Sequence, residues 1–149
     1  MPTGYARILI PTDFSPGANR ALREARKLLR EDGELVLLHV LRRMEPTLPW
    51  SATNRRVVAQ LATKARAEAR AQLTEMAAGL AGIRTRTRVL EGVAHEKILA
   101  EARRVRADAI VIGAQGHTLS ERLLLGSTTE RVVRKATMPV VVTPRARKG

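Results

Sequence analysis

The sequence predicts a single α/β domain built on an open parallel sheet of five strands, with helices on both faces. Short apolar runs rich in β-branched residues alternate with amphipathic helical patterns along the whole chain, and this alternation is typical of parallel sheets. The length of 149 residues fits one domain, and 44% hydrophobic residues are enough for a buried core. We therefore expect one domain over residues 1–149, with residues 145–149 as a basic tail.

The first strand and the first helix have clear boundary signals. Ala6–Pro11 is a short apolar run that ends in turn-forming residues, as a strand does. Ser15 supplies an N-cap hydroxyl directly before Pro16, a residue favoured at the first helical position. We expect the helix to end near Gly33, before a second buried strand at Glu34–Val40. The apolar face of this helix comprises Ala18, Ala21, Leu22, Ala25, Leu28 and Leu29.

The middle of the chain contains a long helix and a charged strand. Leu41–Thr53 includes two prolines, so we expect an irregular connection that acts as a cover or is mobile. The pattern of Asn54–Ala78 predicts a helix, and Ile83–Leu90 predicts a third strand with arginine at alternate positions. A strand face that carries Arg84, Arg86 and Arg88 is typical of an edge strand protected by charge. The predicted inward residues of the long helix are Val58, Leu61, Ala65, Ala69, Leu73 and Met76.

The last third of the chain repeats the alternation. Asp108–Ile112 is continuously apolar after its first residue, as expected of a parallel strand covered on both faces. We expect a last helix at about Thr128–Ala136 and a fifth strand at Val140–Thr143. Between the third and fourth strands, we expect a helix that begins after Gly92. Its predicted inward residues are Ala94, Ile98, Ala102 and Val105.

The composition excludes several classes of protein. The chain has no cysteine, which excludes a disulfide scaffold, thiolate zinc sites and thiol catalysis. No apolar stretch approaches the roughly 20 residues of a membrane helix, and no signal-peptide pattern begins the sequence. We therefore predict a cytoplasmic protein that does not associate with a membrane.

The charge balance is strongly basic. Lys plus Arg is 27 and Asp plus Glu is 14, which gives a net charge of +13. Such a charge raises the possibility of a nucleic acid or another polyanion as a partner. However, the arginines are spread through most segments, and only 2% of residues are aromatic and able to stack on bases. We therefore do not expect a dedicated nucleic-acid role.

The loop after the fourth strand carries the strongest functional pattern. In open parallel sheets, ligands bind beyond the carboxyl ends of the strands. Here the loop contains Gly113, Gly116 and Gly126, followed by a Ser-Thr-Thr run that opens a helix. The glycines allow close approach of backbone to ligand, and the helix start offers N–H groups, a positive dipole end and hydroxyls. These features predict a phosphate site, but Ser127 and Glu130 also fit a capping box that needs no ligand.

Asp13 is the second candidate, because it follows the first strand directly. It could accept hydrogen bonds from ribose hydroxyls, with Pro11 and Thr12 as the pocket wall. Alternatively, it is a loop carboxylate that helps Ser15 to cap the first helix.

The histidines and the absent motifs narrow the chemistry further. We expect His39 to be a core histidine with its hydrogen bonds satisfied, and His95 to lie at the surface. His117 and Arg122 lie in the glycine loop and could contact a phosphate, but no cluster indicates a metal site. The sequence has no Walker A motif, no G-x-G-x-x-G after the first strand and no G-x-S-x-G elbow.

Three motifs together resemble the universal stress protein family. They are Pro11–Ser15, the pattern Gly113-x2-Gly116-x9-Gly126-Ser127, and Met138–Val142. The resemblance covers Arg7–Pro144, and the glycine pattern with its following serine is similar to that of the ATP-binding branch. It implies a Rossmann-like sheet of order 3-2-1-4-5, of the adenine nucleotide alpha hydrolase kind, with ATP between strands one and four.

The resemblance also implies a role for each site residue. Pro11, Thr12 and Asp13 would line the nucleoside, with Asp13 directed at the ribose, and Val40 would meet adenine through its backbone. Ile112 and Gly113 would flank the ribose and α-phosphate, and Gly116 would lie beneath the phosphates. The remaining phosphate-binding residues would be Gly126, Ser127, Thr128 and, with less support, Thr129, near a divalent cation such as Mg²⁺ or Mn²⁺.

The function implied is that of a dimeric ATP-binding stress-response protein that acts as a nucleotide-dependent regulator. Dimers would form by antiparallel pairing of the last strands, Val140–Thr143. No general base or arginine finger is evident in the sequence, so hydrolysis is expected to be slow or absent. Three alternatives stay open: a slow ATPase or phosphotransferase, a site for AMP or a signalling nucleotide, and a dimer that ignores nucleotides and binds an anionic partner.

Overall fold

The computed structural model describes residues 3–43, 52–114 and 125–144. The predicted basic tail (145–149), residues 44–51 of the predicted irregular connection, and Gly116, His117 and Arg122 lie outside these ranges. The helices and strands, in chain order, are β1 (Tyr5–Pro11), α1 (Pro16–Leu28), β2 (Leu29–Leu41), α2 (Ala52–Ala78), β3 (Arg84–Glu91), α3 (Ala94–Arg104), β4 (Ala109–Gly113), α4 (Ser127–Lys135) and β5 (Val140–Thr143).

The described strands form one five-stranded parallel sheet of order β3-β2-β1-β4-β5. This order confirms the predicted fold class. Because side chains alternate between the two faces of a strand, consecutive residues enter different cores. On one face, α1 and α2 cover Ile8, Ile10, Leu35, Leu37 and Val111. On the other face, α3 and α4 cover Leu9, Val36, Leu38, Ile110 and Ile112.

The sheet opens at its centre toward the carboxyl ends of the strands. β1 stays paired with β2 as far as Pro11, and β4 stays paired with β5 as far as Gly113. The recorded pairing between β1 and β4, by contrast, ends at Leu9 and Ile110. The strand order reverses at this point, so the unpaired strand ends form the crevice in which open parallel sheets bind ligands.

The first helix is shorter than predicted. It ends at Leu28, not near Gly33, and Leu29 is already extended, with φ −79° and ψ 134°. Leu28 and Leu29 both pack against the core beneath α1 and α2. The spacing of apolar residues therefore does not show that the backbone changes from helix to strand between them. Gly33 is a buried strand residue, where an added Cβ would lie 2.6 Å from Leu29 Cδ1.

The predicted inward face of α2 is only partly correct. Ala69 and Leu73 are its buried residues, whereas Leu61 is 50% exposed. Both buried residues lie in the second half of this 27-residue helix, and the first half contributes no buried residue to the core.

β3 lies at the edge of the sheet, as predicted. Its arginines are held by partners on neighbouring elements. Arg84 donates to the Asp32 carbonyl oxygen at 2.7 Å, and Arg86 forms an ion pair with Glu34 of β2. Arg88 donates to Glu101 of α3 at 3.2 Å. These contacts place cations along the edge, where they oppose pairing with another chain.

Glu101 is a buried carboxylate, with only 3% of the residue exposed. It accepts hydrogen bonds from Arg88 and Arg104. The hydrogen bond from Arg104 lowers the pKa of Glu101 below its ordinary value, although burial opposes this effect. Because the pKa is lower in the folded state, Glu101 contributes stability above its unfolded pKa, and this contribution is lost as the pH falls through the folded pKa.

We expect the substitution Glu101→Gln to lower the free energy of unfolding by about 1–2 kcal/mol at pH 7, because charge-assisted hydrogen bonds are lost. The difference from the parent protein should shrink as the pH is lowered below the ordinary carboxylate pKa. Urea denaturation at several pH values measures both effects. Glu75→Gln, at an exposed position of α2, is the control. A Glu101→Gln difference that stayed constant with pH would contradict the argument.

Candidate functional site

The loop after β1 is shaped by its own side chains. The Thr12 N–H donates to the Leu38 carbonyl oxygen at 2.8 Å and so continues the strand pairing. The Thr12 hydroxyl accepts from the Phe14 N–H at 3.0 Å, and Asp13 Oδ1 accepts from the Ser15 N–H at 3.0 Å. Phe14 has a φ of 65°, which a non-glycine residue rarely adopts. The loop is therefore held in one tight conformation.

Ser15 caps α1 as predicted, since its hydroxyl accepts from the Ala18 N–H at 3.2 Å, with Pro16 at the first helical position. Asp13 supports this turn through its bond to Ser15, which is the structural role considered in the sequence analysis. A carboxylate offers two oxygens with about four lone-pair sites. One carboxylate can therefore accept several hydrogen bonds at once.

His39 anchors this loop from β2. Its Nδ1 lies 2.7 Å from the Thr12 carbonyl oxygen, and its ring centroid lies 4.6 Å from that of Phe14. A carbonyl oxygen only accepts, so Nδ1 is the protonated nitrogen that donates. The prediction that this histidine is hydrogen-bonded is thus confirmed, although the residue is half-buried instead of lying within the core.

We expect His39→Leu to loosen the loop after β1. The Thr12 carbonyl oxygen loses its donor, which should cost about 1 kcal/mol of stability. Hydrogen exchange of the Phe14 and Ser15 amides should become faster, while amides in the centre of β4 stay protected. His39→Asn restores a donor and is the matched control. Unchanged exchange at Phe14 and Ser15 in His39→Leu would show that the histidine does not anchor the loop.

On the other side of the crevice, the two ends of the β4–α4 connection meet. The Ala114 N–H donates to the Thr143 carbonyl oxygen at 3.0 Å, and the Gly126 N–H donates to the Ala114 carbonyl oxygen at 2.8 Å. The Thr129 hydroxyl donates to the Gly113 carbonyl oxygen at 2.8 Å. These bonds fix the start of α4 beside the end of β4.

Gly113 also has a packing role that the sequence pattern did not reveal. A Cβ built on it would lie 3.1 Å from the Gly17 carbonyl oxygen, which is closer than ordinary contacts. The first turn of α1 therefore rests directly on the end of β4. The pair Gly17 and Gly113 brings the start of α1 and the end of β4 together at the crevice.

Among the residues that the structure describes, no N-cap side chain satisfies the backbone donors at the start of α4. Gly126 is the N-cap residue and makes no side-chain cap hydrogen bond, while Glu130 pairs with Arg134 at 2.6 Å. The alternative of a Ser127–Glu130 capping box is therefore wrong, because Ser127 already belongs to the helix. The first N–H groups of a helix have no acceptor within it, and the helix dipole adds positive potential there.

The described candidate residues gather at one edge of the sheet. Asp13 and the end of β1 lie on one side of the crevice, and Gly113 and the start of α4 lie on the other. Their exposure differs: Pro11, Thr12, Ile112 and Thr129 are buried, Asp13, Val40, Gly113, Gly126 and Thr128 are half-buried, and Ser127 is exposed. The arrangement offers a carboxylate acceptor and an uncapped helix terminus within one cleft.

Two negative findings apply to residues 3–43, 52–114 and 125–144. These ranges hold no group of three His, Asp or Glu residues that could ligate a metal ion. None of their helices has the length and hydropathy that a bilayer-crossing segment requires.

Comparison with known proteins gives a consistent result. The model of the universal stress protein family matches residues 4–144. The chain is 34% identical over 146 residues to universal stress protein MJ0531 of Methanocaldococcus jannaschii, and the match covers 97% of this chain and 85% of the relative. It is 32% identical to MJ0577 of the same organism, with 97% and 98% covered.

Solved structures show the same similarity in three dimensions. MJ0577 superposes with a TM-score of 0.86 at 31% identity, over 97% of this chain and 99% of that one. The universal stress protein UspA from Lactobacillus plantarum superposes with a TM-score of 0.81 at 26% identity, over 95% and 99% of the two chains. The order of helices and strands thus belongs to a fold that these proteins share.

Proposed function

The chain belongs to the universal stress protein family, and we propose that it binds ATP in the crevice between β1 and β4. The observation that carries this proposal is the early end of the β1–β4 pairing. It leaves an opening between Asp13 on one side and the uncapped start of α4 on the other. A nucleotide presents ribose hydroxyls at one end and phosphates at the other, which matches these two kinds of group.

In this proposal the nucleoside lies at the β1–β2 side. Asp13 accepts from the ribose hydroxyls, and Pro11 and Thr12 form the wall beside them. Val40, at the end of β2, meets adenine through its backbone. Ile112, a residue that is only 6% exposed, supports the ribose from β4, so this part of the floor is apolar.

The phosphates lie at the β4–α4 side. Gly113, Gly126, Ser127 and Thr128 offer backbone N–H groups or hydroxyls, and we include Gly116 on the sequence pattern alone. The Thr129 hydroxyl already donates its hydrogen to Gly113, so we assign its backbone N–H and not its hydroxyl to phosphate binding. A Mg²⁺ or Mn²⁺ ion held by the phosphates would offset their negative charge.

We further propose that the protein acts as a cytoplasmic nucleotide-dependent regulator in stress responses, and not as a fast enzyme. Phosphoryl transfer needs a group that positions the attacking water and a cation that stabilises the transition-state charge. The residues assigned above bind the ligand and fix the loops, and none of them is assigned either catalytic role. Hydrolysis is therefore expected to be slow or absent.

Calorimetric titration with ATP and AMP, with and without Mg²⁺, tests the binding proposal. The expected result is one nucleotide per chain, with ATP bound more tightly than AMP. An adenine nucleotide released from freshly purified, denatured protein would support the same conclusion. Steep salt dependence of RNA binding with no response to ATP would instead favour the anionic-partner alternative. Several turnovers per second would favour the enzyme alternative.

We propose that two copies pair through β5. The Pro139 carbonyl oxygen accepts a hydrogen bond from the Ile110 N–H of β4, and the Thr143 carbonyl oxygen accepts one from the N–H of Ala114, directly after β4. Because backbone groups of successive strand residues point to opposite edges, those of Val140 and Val142 point away from β4. Within the described residues β5 has a neighbouring strand on one edge only, and antiparallel pairing with a second copy would cover the other edge.

We expect Val142→Pro to weaken this dimer at least tenfold, because proline removes an outward N–H donor in both copies. The β4–β5 bonds should persist, since that N–H does not point toward β4. Sedimentation equilibrium measures the dissociation constant. Val133→Lys is the matched control, because Val133 is an apolar residue of α4 that is 44% exposed. If Val133→Lys weakened the dimer and Val142→Pro did not, the interface would lie on α4.

A further inference from the structure

Four buried side-chain atoms of the described residues have no hydrogen-bond partner. They are the Nε atoms of Arg7, Arg20 and Arg30 and the Oγ1 atom of Thr143. Buried polar groups are usually hydrogen-bonded, so exceptions require an explanation. The Arg7 and Arg30 side chains each form an ion pair with a carboxylate. Arg20 forms no ion pair within the described residues, so Arg20 and Thr143 are the two exceptions that remain.

Thr143 lies at the outer strand of the sheet, on the face that α1 covers. It is aligned with Gly113 of β4. Val141, two residues before it, packs against the core under α1 and α2, so the alternation of side chains directs Thr143 to the same face. The first turn of α1 rests on Gly113 through Gly17. Thr143 therefore lies beside the start of α1, on the β5 side of that contact.

Arg20 lies on the flank of α1 that is directed toward β5. The buried residues Ala18, Ala21 and Ala25 mark the stripe that faces the sheet. Gly17 is turned about 70° from the middle of this stripe, and Arg20 is turned about 60° further in the same direction. In a right-handed β1–α1–β2 connection this direction leads away from β2 and toward β5, which α1 also contacts. Both unsatisfied groups are therefore found at the β5 edge.

The same flank of α1 carries a carboxylate one turn after Arg20. Glu24 is four residues further along the chain, which is about 40° around the helix and about 6 Å along it. Lys27 lies 3.0 Å from its carboxylate, and the Glu24 side chain is 45% exposed, so it can accept from a further cation. A cation and a carboxylate thus follow each other along the edge at which β5 pairing was proposed.

We propose that two copies of the chain also meet along α1, where Arg20 of each copy forms an ion pair with Glu24 of the other. This inference rests on the β5 pairing proposed above. A twofold axis perpendicular to the sheet keeps the α1 faces of both copies on one side of the joined sheet and makes the two helices antiparallel. Each contact between two different residues then occurs twice, as in every self-complementary interface.

The register of the paired strands decides which residues face each other. Val140 and Val142 direct their backbone groups outward, so antiparallel pairing allows the axis at Val140, Val141 or Val142. An axis at Val140 puts Val142 opposite Met138, before the strand begins. An axis at Val142 puts Val140 opposite Pro144, which has no N–H to donate. An axis at Val141 pairs Val140 with Val142 in both directions and is the register that we infer.

This register brings opposite charges to the same height. Gly17 and Thr143 lie at one height in the molecule, because both adjoin the end of β4. The point midway between Arg20 and Glu24 lies about 7.5 Å from Gly17 along α1. Val141 lies about 6.6 Å from Thr143 along β5, in the same direction, because α1 runs antiparallel to the strands. An axis at Val141 therefore sets each arginine opposite the glutamate of the other copy.

The distance between the two helices suits this pairing. α1 contacts β1, β4 and β5 and so lies over β4, the middle strand of the three. The two copies of α1 are then separated by three strand spacings, about 14 Å. With a Cα radius of about 2.3 Å for each helix, about 10 Å remains between the facing Cα atoms. A long arginine side chain and a glutamate side chain that extend toward each other can bridge this gap across β5.

Charge reversal tests the pairing, with sedimentation equilibrium of the full chain as the measurement. Arg20→Glu and Glu24→Arg should each raise the dissociation constant of the dimer about tenfold, because like charges then face each other twice. The double variant Arg20→Glu/Glu24→Arg restores both ion pairs with their charges exchanged, and it should return to within about threefold of the parent protein. Arg23→Glu, at an exposed position of α1, is the control and should leave the constant within the same range.

The outcomes separate this inference from the β5 pairing. If Val142→Pro weakened the dimer while Arg20→Glu behaved as Arg23→Glu does, the β5 pairing would stand and the α1 contact would be refuted. A double variant as weak as the single variants would likewise show that the two residues do not face each other. If the parent protein sedimented as a monomer, the β5 pairing would fail, and this inference would fail with it.

Discussion

Replacing Asp13 by alanine is expected to raise the dissociation constant of ATP by about 10- to 100-fold. The reason is that a hydrogen bond to a charged acceptor is worth about 1.5–3 kcal/mol. The half-buried position of Asp13 at the mouth of the crevice limits competition from solvent. Isothermal titration calorimetry at fixed salt and Mg²⁺ concentration measures the change.

Two controls separate ribose recognition from loop structure. Asp13→Asn retains an oxygen for the Ser15 N–H, which Asp13 Oδ1 now accepts, but removes the negative charge. For the parent protein, ATP that lacks both ribose hydroxyls should have a higher dissociation constant than ATP. For Asp13→Ala, the two ligands should have equal dissociation constants. If removing the hydroxyls weakened binding to the parent and to Asp13→Ala by the same factor, Asp13 would not contact the ribose.

Replacing Gly113 by valine is expected to damage both stability and binding. The Cβ atom alone would lie 3.1 Å from the Gly17 carbonyl oxygen, so α1 must shift away from β4. Overpacking of this kind costs about 1–3 kcal/mol, and a loss of this size lowers the melting temperature by several degrees in a protein of 149 residues. ATP affinity should fall more than tenfold, because the displaced helix carries the loop with Asp13.

Gly79→Val is the matched control for Gly113→Val. A Cβ on Gly79 would have as its nearest neighbour the Met76 carbonyl oxygen at 3.4 Å, which is ordinary contact. This variant should retain both melting temperature and affinity. If Gly113→Val bound ATP as the parent does, the Gly17–Gly113 contact would have no part in shaping the site.

The strands were predictable because their signals are local. β5 has the predicted limits, Val140–Thr143, since a proline precedes an uninterrupted β-branched run. The edge position of β3 followed from its alternating arginines. What these patterns did not show is that carboxylates of β2 and α3 bind those arginines, because ion pairs across elements depend on the three-dimensional register.

The helix errors share one physical cause. Leu28, Leu29 and Leu61 are apolar at helical spacing, and spacing alone does not show where a helix ends or how far it extends beyond the sheet. Leu29 is half-buried in β2 and packs against the same core as Leu28 of α1. Leu61 is exposed because it lies in the first half of α2, which contributes no buried residue to the core.

The candidate site was only partly predictable. Asp13 and the glycine pattern can be recognised because they follow strand ends directly, and the structure brings Asp13, Gly113 and Gly126 to the same edge. The role of Gly116 stays a prediction, since it lies outside the described residues. Gly17 escaped the sequence analysis, and the prediction that His95 lies at the surface is wrong, since the residue is 8% exposed. A close helix–strand contact and the burial of a first-turn histidine both depend on packing between elements distant in sequence.

The early end of the β1–β4 pairing also bears on how long the protein persists in a cell. A ligand seated between these strands binds the folded chain and not the unfolded one, so it adds about 2.7 kcal/mol of stability at 100 times its dissociation constant. Proteases that cleave the opened chain would then act roughly 100-fold more slowly when opening and closing are fast. For the adenine nucleotide proposed above as this ligand, a fall in its supply would shorten the lifetime of the protein and lower its abundance.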